Sequence, residues 1–386
     1  MSTMFFTWLV FLIISVSFYL VWNYAESVIN LGGWHLLHDF LSVITAERMI
    51  LKVVCVTLIL SILLVILSLI FRRIQITIGV RLGQNRPVRD ATTFLRVIMV
   101  FLWAGLIAFF FYGYHEIYPV YAYQADVIKM RCIMENEKTV VHAFGYVRGD
   151  DGEKYNYTNS LEAMINRYET GNRVAEVDFS MTEDGVLVCS HEFAGFRNPD
   201  NHDGISAADF KYGSIKEFFT PITLSDLAEY MRWHEDLYIV TDIKSSNLEG
   251  AGLIARECPD LMDRFIIQAY QHEEYEPLRE LGFKYVLWTL YRYAPDEDDY
   301  EEVRQAFVEN DFLAVTFYES WLYGVSDDWE TSMDWLHGSV FFETMKSLGV
   351  PVCVHTVNSL SDMQKDYSAG VSVIYTDNVD NDYLRD

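Results

Sequence analysis

Six side chains beyond residue 140 have the types and spacing that cation and acid–base chemistry require. Glu176 and Asp178 stand two apart within the apolar run 174–179, and Asp242 and Lys244 stand two apart at the end of the run 238–243. A spacing of two puts both members of each pair on one face of a strand. Two further runs, 139–142 and 186–191, end in His142 and His191. Carboxylates and imidazoles pointing from strands into a protein interior are costly unless they bind something. Three carboxylates suit a hard divalent cation such as Mg²⁺ or Ca²⁺. Two imidazoles that titrate near neutrality suit a base and an acid. A lone Glu-x-Asp is also the pattern of a solvated strand face, so the chemistry depends on a fold that makes these residues converge.

The elements that must position them are legible as short apolar runs at 139–142, 174–179, 186–191, 238–243, 265–269, 285–290, 312–316, 352–357 and 373–375. Helical patterns at 160–170, 224–233, 274–281, 301–310 and 340–348 lie between many of them. Strands alternating with helices over this length predict an α/β fold, a (β/α)8 TIM-type barrel, whose strand C-termini are where such barrels place active sites. The runs exceed eight, so 186–191 is expected to pair with 174–179 as an excursion from the barrel. A doubly wound open sheet is the alternative, although no Gly-rich nucleotide loop accompanies it.

Charge divides the chain in two. Residues 1–136 hold 10 Lys and Arg against 7 Asp and Glu, a balance of +3, and residues 137–386 hold 19 against 48, a balance of −29. The acidic part argues against nucleic acid as a partner, because phosphate backbones are bound by Lys and Arg. It still admits an anionic phosphodiester where a bound cation reverses the local field. The first part contains three apolar runs, at about 4–23, 49–71 and 94–114, each long enough to span a bilayer as a transmembrane helix. Arg72, Arg73, Arg81, Arg86, Arg89 and Arg96 mark the loop between the second and third as cytoplasmic. The expectation is a multi-pass protein of the cell membrane, with residues 1–118 as the membrane region and 119–136 as a connector without strong period. The barrel, 137–386, is then extracytoplasmic. Cys132, Cys189, Cys258 and Cys353 show neither zinc spacing nor a disulfide framework and read as free buried thiols.

The order of motifs is more specific than any one of them. It runs VVHAFG (140–145), YTNSLEAM (157–164), AEVDFSMTEDGVLVCSHE (175–192), TLSDLAEYM (223–231), VTDIK (240–244) and HTVNSLSDMQKDYSAGVSVIYTDNVD (355–380). Over 139–380 the chain resembles the glycerophosphodiester phosphodiesterase family, whose superfamily includes phosphatidylinositol-type phospholipases and sphingomyelinase D. The resemblance implies a TIM-type barrel and a metal-dependent phosphodiesterase. By it Glu176, Asp178 and Asp242 are ligands of one divalent cation, Mg²⁺ or Ca²⁺. His142 and His191 are the catalytic pair, and Lys244 contacts the phosphate. Implied substrates are glycerophosphodiesters, or lipids or envelope polymers that contain glycerol phosphate.

Two positions depart from the family pattern. Ala143 stands where it has Arg, and Thr158 where it has Glu. Arg148, in the following segment, is a candidate stand-in for the missing guanidinium. The Asp-x-Lys pair at 242–244 is closer to the sphingomyelinase D branch, which keeps open a phospholipase that forms a cyclic phosphate. A catalytically inactive barrel that binds or senses an envelope component is the non-enzymatic alternative. His355, where the family has Trp, reads mainly as packing. Trp288 and Trp321 are candidates for either a substrate groove or packing.

Overall fold

The computed structural model describes residues 118–193, 204–290, 300–323 and 339–378, together with isolated positions between 62 and 105. Two compact units divide the chain, Met1–Ala125 and Asp126–Asp386. The strands are β1 (Thr139–Val141), β2 (Tyr146–Arg148), β3 (Lys154–Asn156), β4 (Val174–Met181), β5 (Leu187–Cys189), β6 (Tyr238–Ile243), β7 (Phe265–Ala269), β8 (Tyr285–Thr289), β9 (Val315–Tyr318), β10 (Val352–His355) and β11 (Val373–Thr376).

Eight of them form a closed parallel barrel in the order β1-β11-β10-β9-β8-β7-β6-β4. Val141 opposite Ala175 joins β1 to β4 and completes the ring, which excludes the open sheet. The surplus run is β5, antiparallel to the second half of β4 with Phe179 opposite Cys189. The hairpin of β2 and β3 stands apart as a separate two-stranded sheet.

Alternation along β4 separates two environments. Ala175, Val177 and Phe179 pack into the outer core with Ala163, Met164, Leu227, Ile239 and Ile243, so Glu176 and Asp178 face the opposite way, into the barrel. The helices that cover the outside begin where the sequence supplies caps. Ser160 accepts from the Ala163 N–H at the start of Leu161–Glu169. Thr223 and Asp226 form a capping box at Leu224–Trp233. Helix Asn247–Glu257 lies so near β6 that a β-carbon on Gly250 would meet Ile243 Cγ2 at 2.8 Å. The four cysteines Cys132, Cys189, Cys258 and Cys353 are free and buried.

Residues 119–136, expected as a connector, lie within one continuous helix, Tyr118–Glu137. From Asp126 onward it belongs to the barrel unit. Met130 and Met134 are buried, and the Arg131 guanidinium donates to the carbonyls of Leu313 at 2.9 Å and Phe312 at 2.6 Å. Lys284 Nζ reaches Asp126 at 3.3 Å. These partners immediately precede β8 and β9, so the helix covers the N-terminal ends of the strands. Val127, Met130 and Met134 are buried at helical spacing, but polar and apolar residues alternate irregularly over the rest of the helix, so the sequence shows no strong period there.

The apolar run at about 4–23 lies outside the described residues, and those at 49–71 and 94–114 are described only at isolated helical positions. Among the described residues no helix is long and apolar enough to cross a membrane.

Because Arg131 donates to two part-buried carbonyls of the barrel, Arg131→Ala should destabilise the folded chain by about 2 kcal/mol. Denaturant unfolding of the full-length protein measures it.

Candidate active site

Register turns two sequence pairs into one cluster. β4 and β6 lie side by side with Asp178 opposite Asp242, and Glu176 sits one step below Asp178 on the same face. Glu176, Asp178 and Asp242 each place a carboxylate oxygen within 4.8 Å of the others, and all three are buried. Three carboxylates this close repel one another and have lost water, so each needs donors.

Every carboxylate has one oxygen held from outside the centre. The Ala143 N–H donates to Glu176 Oε2 at 2.8 Å. Asn159 Nδ2 donates to Asp178 Oδ2 at 2.8 Å. The Tyr270 hydroxyl donates to Asp242 Oδ1 at 2.5 Å. Facing the centre, Asp178 Oδ1 and Asp242 Oδ2 lie 2.7 and 2.8 Å from Lys244 Nζ, whereas buried Glu176 Oε1 has no hydrogen-bond partner. Burial and the Asp178 charge push the Glu176 carboxyl up to about 8. Burial opposes the charge on Lys244, but Asp178 and Asp242 outweigh it and raise the ammonium above its ordinary range. The centre therefore has more negative charge than its own lysine answers. An orphaned inner oxygen within a buried three-carboxylate set fits a hard divalent cation.

The two histidines flank this centre differently. His142 follows β1, with Nδ1 2.8 Å from Asp377 Oδ1 and Nε2 3.9 Å from Glu176 Oε2. Asp377 is held in turn by Asn358, whose Nδ2 donates to Oδ2 and whose Oδ1 accepts the Asp377 N–H, each at 2.8 Å. Burial alone would lower the His142 pKa. The Asp377 hydrogen bond and the charges of Glu176 and Asp178 override it and raise the imidazole to about 9. His191 follows β5 and is exposed. The Tyr157 ring lies between them, its centroid 4.7 Å from that of His142 and 5.2 Å from that of His191. Burial and the surrounding carboxylates push the Tyr157 phenol far above its ordinary range.

All six residues singled out from the sequence thus meet at the C-terminal ends of β1, β4, β5 and β6. The ammonium of Lys244, the residue that the resemblance places at the phosphate, lies against two of the carboxylates. Arg148 does not fill the place of the missing guanidinium. It is exposed on the β2–β3 hairpin and donates to the Gly152 carbonyl at 3.1 Å. Trp288 is fully buried against Phe307 and Phe312, so it is packing and not groove. His355 packs between Tyr318 and Tyr375, and burial, with His142 nearby, lowers its imidazole to about 3. Sequence reasoning missed Asp377, Asn358, Asn159, Tyr157 and Tyr270. Asp377, Asn358, Asn159 and Tyr157 lie inside motifs already recognised, though no role was marked for them, and Tyr270 alone of the five lies outside every motif.

The turn that carries His142 is strained. Ala143, Phe144 and Gly145 have φ of 46°, 59° and 69°, and only glycine adopts such values freely. A β-carbon at Gly145 would meet Val141 Cγ1 at 2.9 Å and the Asp377 carbonyl at 3.1 Å. Gly145→Ala should therefore cost about 1–3 kcal/mol and displace His142 from Asp377. Unfolding, with the imidazole proton shifts of His142, reads both effects.

The family model described as the glycerophosphoryl diester phosphodiesterase family matches residues 148–381. No curated protein matches the chain. Among solved structures, a glycerophosphodiester phosphodiesterase from Parabacteroides distasonis is 18% identical with a TM-score of 0.47, covering 62% of this chain and 93% of its own. One from Thermotoga maritima is 17% identical with a TM-score of 0.46, covering 64% and 97%. A phosphodiesterase from Oleispira antarctica, in complex with the product sn-glycerol-3-phosphate, is 15% identical with a TM-score of 0.46, covering 64% and 95%. With its family model matched over more than half its length, the barrel-bearing chain belongs to the glycerophosphoryl diester phosphodiesterase family and is a phosphoric diester hydrolase.

Proposed function

We propose that the barrel cleaves glycerophosphodiesters, or lipids or envelope polymers containing glycerol phosphate, with one divalent cation at Glu176, Asp178 and Asp242 and with His142 and His191 as the acid–base pair. The observation that carries this reading is the orphaned Glu176 Oε1 inside a buried three-carboxylate set, with an imidazole on either side of the neighbouring Tyr157 ring. Mg²⁺ or Ca²⁺ held there supplies positive charge to the phosphate oxygens.

The chain's own residues do the rest. One imidazole takes the proton from the glycerol hydroxyl next to the phosphate as that oxygen bonds to phosphorus. The other, as imidazolium, gives a proton to the departing alcohol oxygen as its P–O bond breaks. The product of this step is a cyclic phosphate, and water opens it with the two roles exchanged. Asp377 fixes the His142 ring through Nδ1, which leaves Nε2 toward the centre. The Asp-x-Lys pair at 242–244, closer to the sphingomyelinase D branch, supports as a second reading a phospholipase that stops at the cyclic phosphate.

We further propose that residues 1–118 anchor the protein in the cell membrane with the barrel outside. Three apolar runs, an arginine-rich loop between the second and third, and exposed Ile62, Leu63, Ile66, Leu69, Ile70 and Ile74 support it. Residues 119–136 then lead into the barrel as part of a helix. If protease added to sealed cells leaves a tag after Asp386 intact, the orientation is wrong.

Phosphorus NMR on the full-length chain tests the chemistry. Turnover of a glycerophosphodiester panel should vanish with chelator and return with Mg²⁺ or Ca²⁺. Glu176→Ala should abolish it, and His142→Ala and His191→Ala should each lower it at least ~100-fold. Full activity in either histidine variant would refute the acid–base pair. A persistent cyclic phosphate signal would select the second reading.

A further inference from the structure

Between the two imidazoles stands a side chain that neither acid–base chemistry nor the carboxylate centre requires. Tyr157 places its ring 4.7 Å from the His142 ring and 5.2 Å from the His191 ring. Its hydroxyl lies 3.5 Å from Asp178 Oδ1, the oxygen that Lys244 Nζ approaches at 2.7 Å. The ring thus separates the histidines, and its polar end reaches the edge of the carboxylate centre.

The backbone holds it there at a cost. Tyr157 has φ of 63° and Asn159 of 49°, a region that bulky residues rarely occupy. The next three residues form a rigid base. Thr158, Asn159 and Ser160 are all buried. The Thr158 and Ser160 hydroxyls bond at 2.9 Å, Asn159 bonds to Asp178 through both its side-chain oxygen and nitrogen, and Ser160 caps the following helix. Tyr157 itself remains 37% exposed. Connecting β3 to that helix does not demand an exposed aromatic on two left-handed residues, and strain of this kind on a rigid scaffold points toward function.

Among the described residues, a phosphate arriving at the centre finds few free donors. Lys244 is already engaged by Asp178 and Asp242. At Ala143, where the family resemblance implies an arginine, the backbone N–H is already given to Glu176. A phenol is protonated and can donate a hydrogen bond.

Building on the hydrolase reading above, we propose that Tyr157 is a substrate-binding residue: its hydroxyl donates to a non-bridging phosphate oxygen, and its ring keeps the two imidazoles on separate sides of the phosphorus. Hydroxyl and ring have separable tasks, so two substitutions separate them. Tyr157→Phe keeps the spacer and removes the donor. Tyr157→Ala removes both.

The experiment uses the full-length protein with Mg²⁺ or Ca²⁺, glycerophosphocholine as the diester for kinetics, and calorimetric titration with sn-glycerol 3-phosphate as an independent binding readout. Tyr157→Phe should raise KM and the Kd for glycerol 3-phosphate about tenfold, the value of one hydrogen bond. Its kcat and thermal midpoint should stay near those of the wild type. Tyr157→Ala should lower kcat as well. Unchanged KM and Kd in Tyr157→Phe, or a loss confined to kcat, would overturn the proposal. Tyrosine-dependent binding without turnover of any diester would uphold it while removing the hydrolytic reading of this site. A wild-type chain that neither binds glycerol 3-phosphate nor cleaves a diester would overturn both.

Discussion

Three buried carboxylates that share one small volume are the constraint around which the rest of the barrel mouth is arranged. At about 4 Å and an effective dielectric near 20, each pair of like charges repels by about 4 kcal/mol. Burial removes the water that would screen them. The protein answers with a layered set of donors: Ala143 N–H, Asn159 and Tyr270 hold the outer oxygens, and Lys244 lies against two inner ones. What remains unanswered is concentrated on Glu176, whose second oxygen has no partner and whose carboxyl is pushed up to about 8 by burial and Asp178. A buried polar group left incomplete in this manner fits a cation, which would relieve repulsion and desolvation together.

The donors impose conditions on the backbone. Two of them, Ala143 and Asn159, have positive φ, as do Phe144 and Tyr157 beside them. These conformations are affordable only on a stiff support, and the closed parallel barrel supplies one. β4 and β6 carry all three acids on adjacent strands in fixed register. Asp377 at the end of β11 and Asn358 after β10 extend the same rigidity to His142. His191 differs, being exposed beyond the short strand β5. One histidine of the proposed pair is thus tightly oriented and the other is open to solvent, an asymmetry suited to a site where one proton carrier stays fixed and the other exchanges with substrate and water.

At the opposite ends of the strands the barrel is finished by residues 126–137 of the helix Tyr118–Glu137, through Met130, Met134 and the two carbonyls that Arg131 satisfies. The lower end of the barrel is therefore built from chain that precedes β1. Stability is supplied at that end and chemistry at the other, the division expected of such barrels.

Much of this was present in the sequence, for reasons of periodicity. Glu176–Asp178 and Asp242–Lys244 stand at a spacing of two because strands alternate, and the apolar runs around them mark strands buried on both faces. That combination was enough to reach the barrel, the antiparallel excursion at β5 and six residues that converge. It could not reach contacts that depend on how distant segments meet. That Asp178 faces Asp242 is a matter of strand register. That Asp377 holds His142 depends on β1 and β11 being neighbours across the closure, 235 residues apart. Tyr270 and Tyr157 are ordinary tyrosines until β7 and a strained turn aim them at Asp242 and Asp178. Likewise Lys244, which could have been free to meet a phosphate, lies between two carboxylates only because parallel pairing stacks β4 beside β6. Residue type and spacing settled which groups face inward; the closed barrel alone decided which of them touch, because touching is set by register and closure, which a linear pattern does not contain.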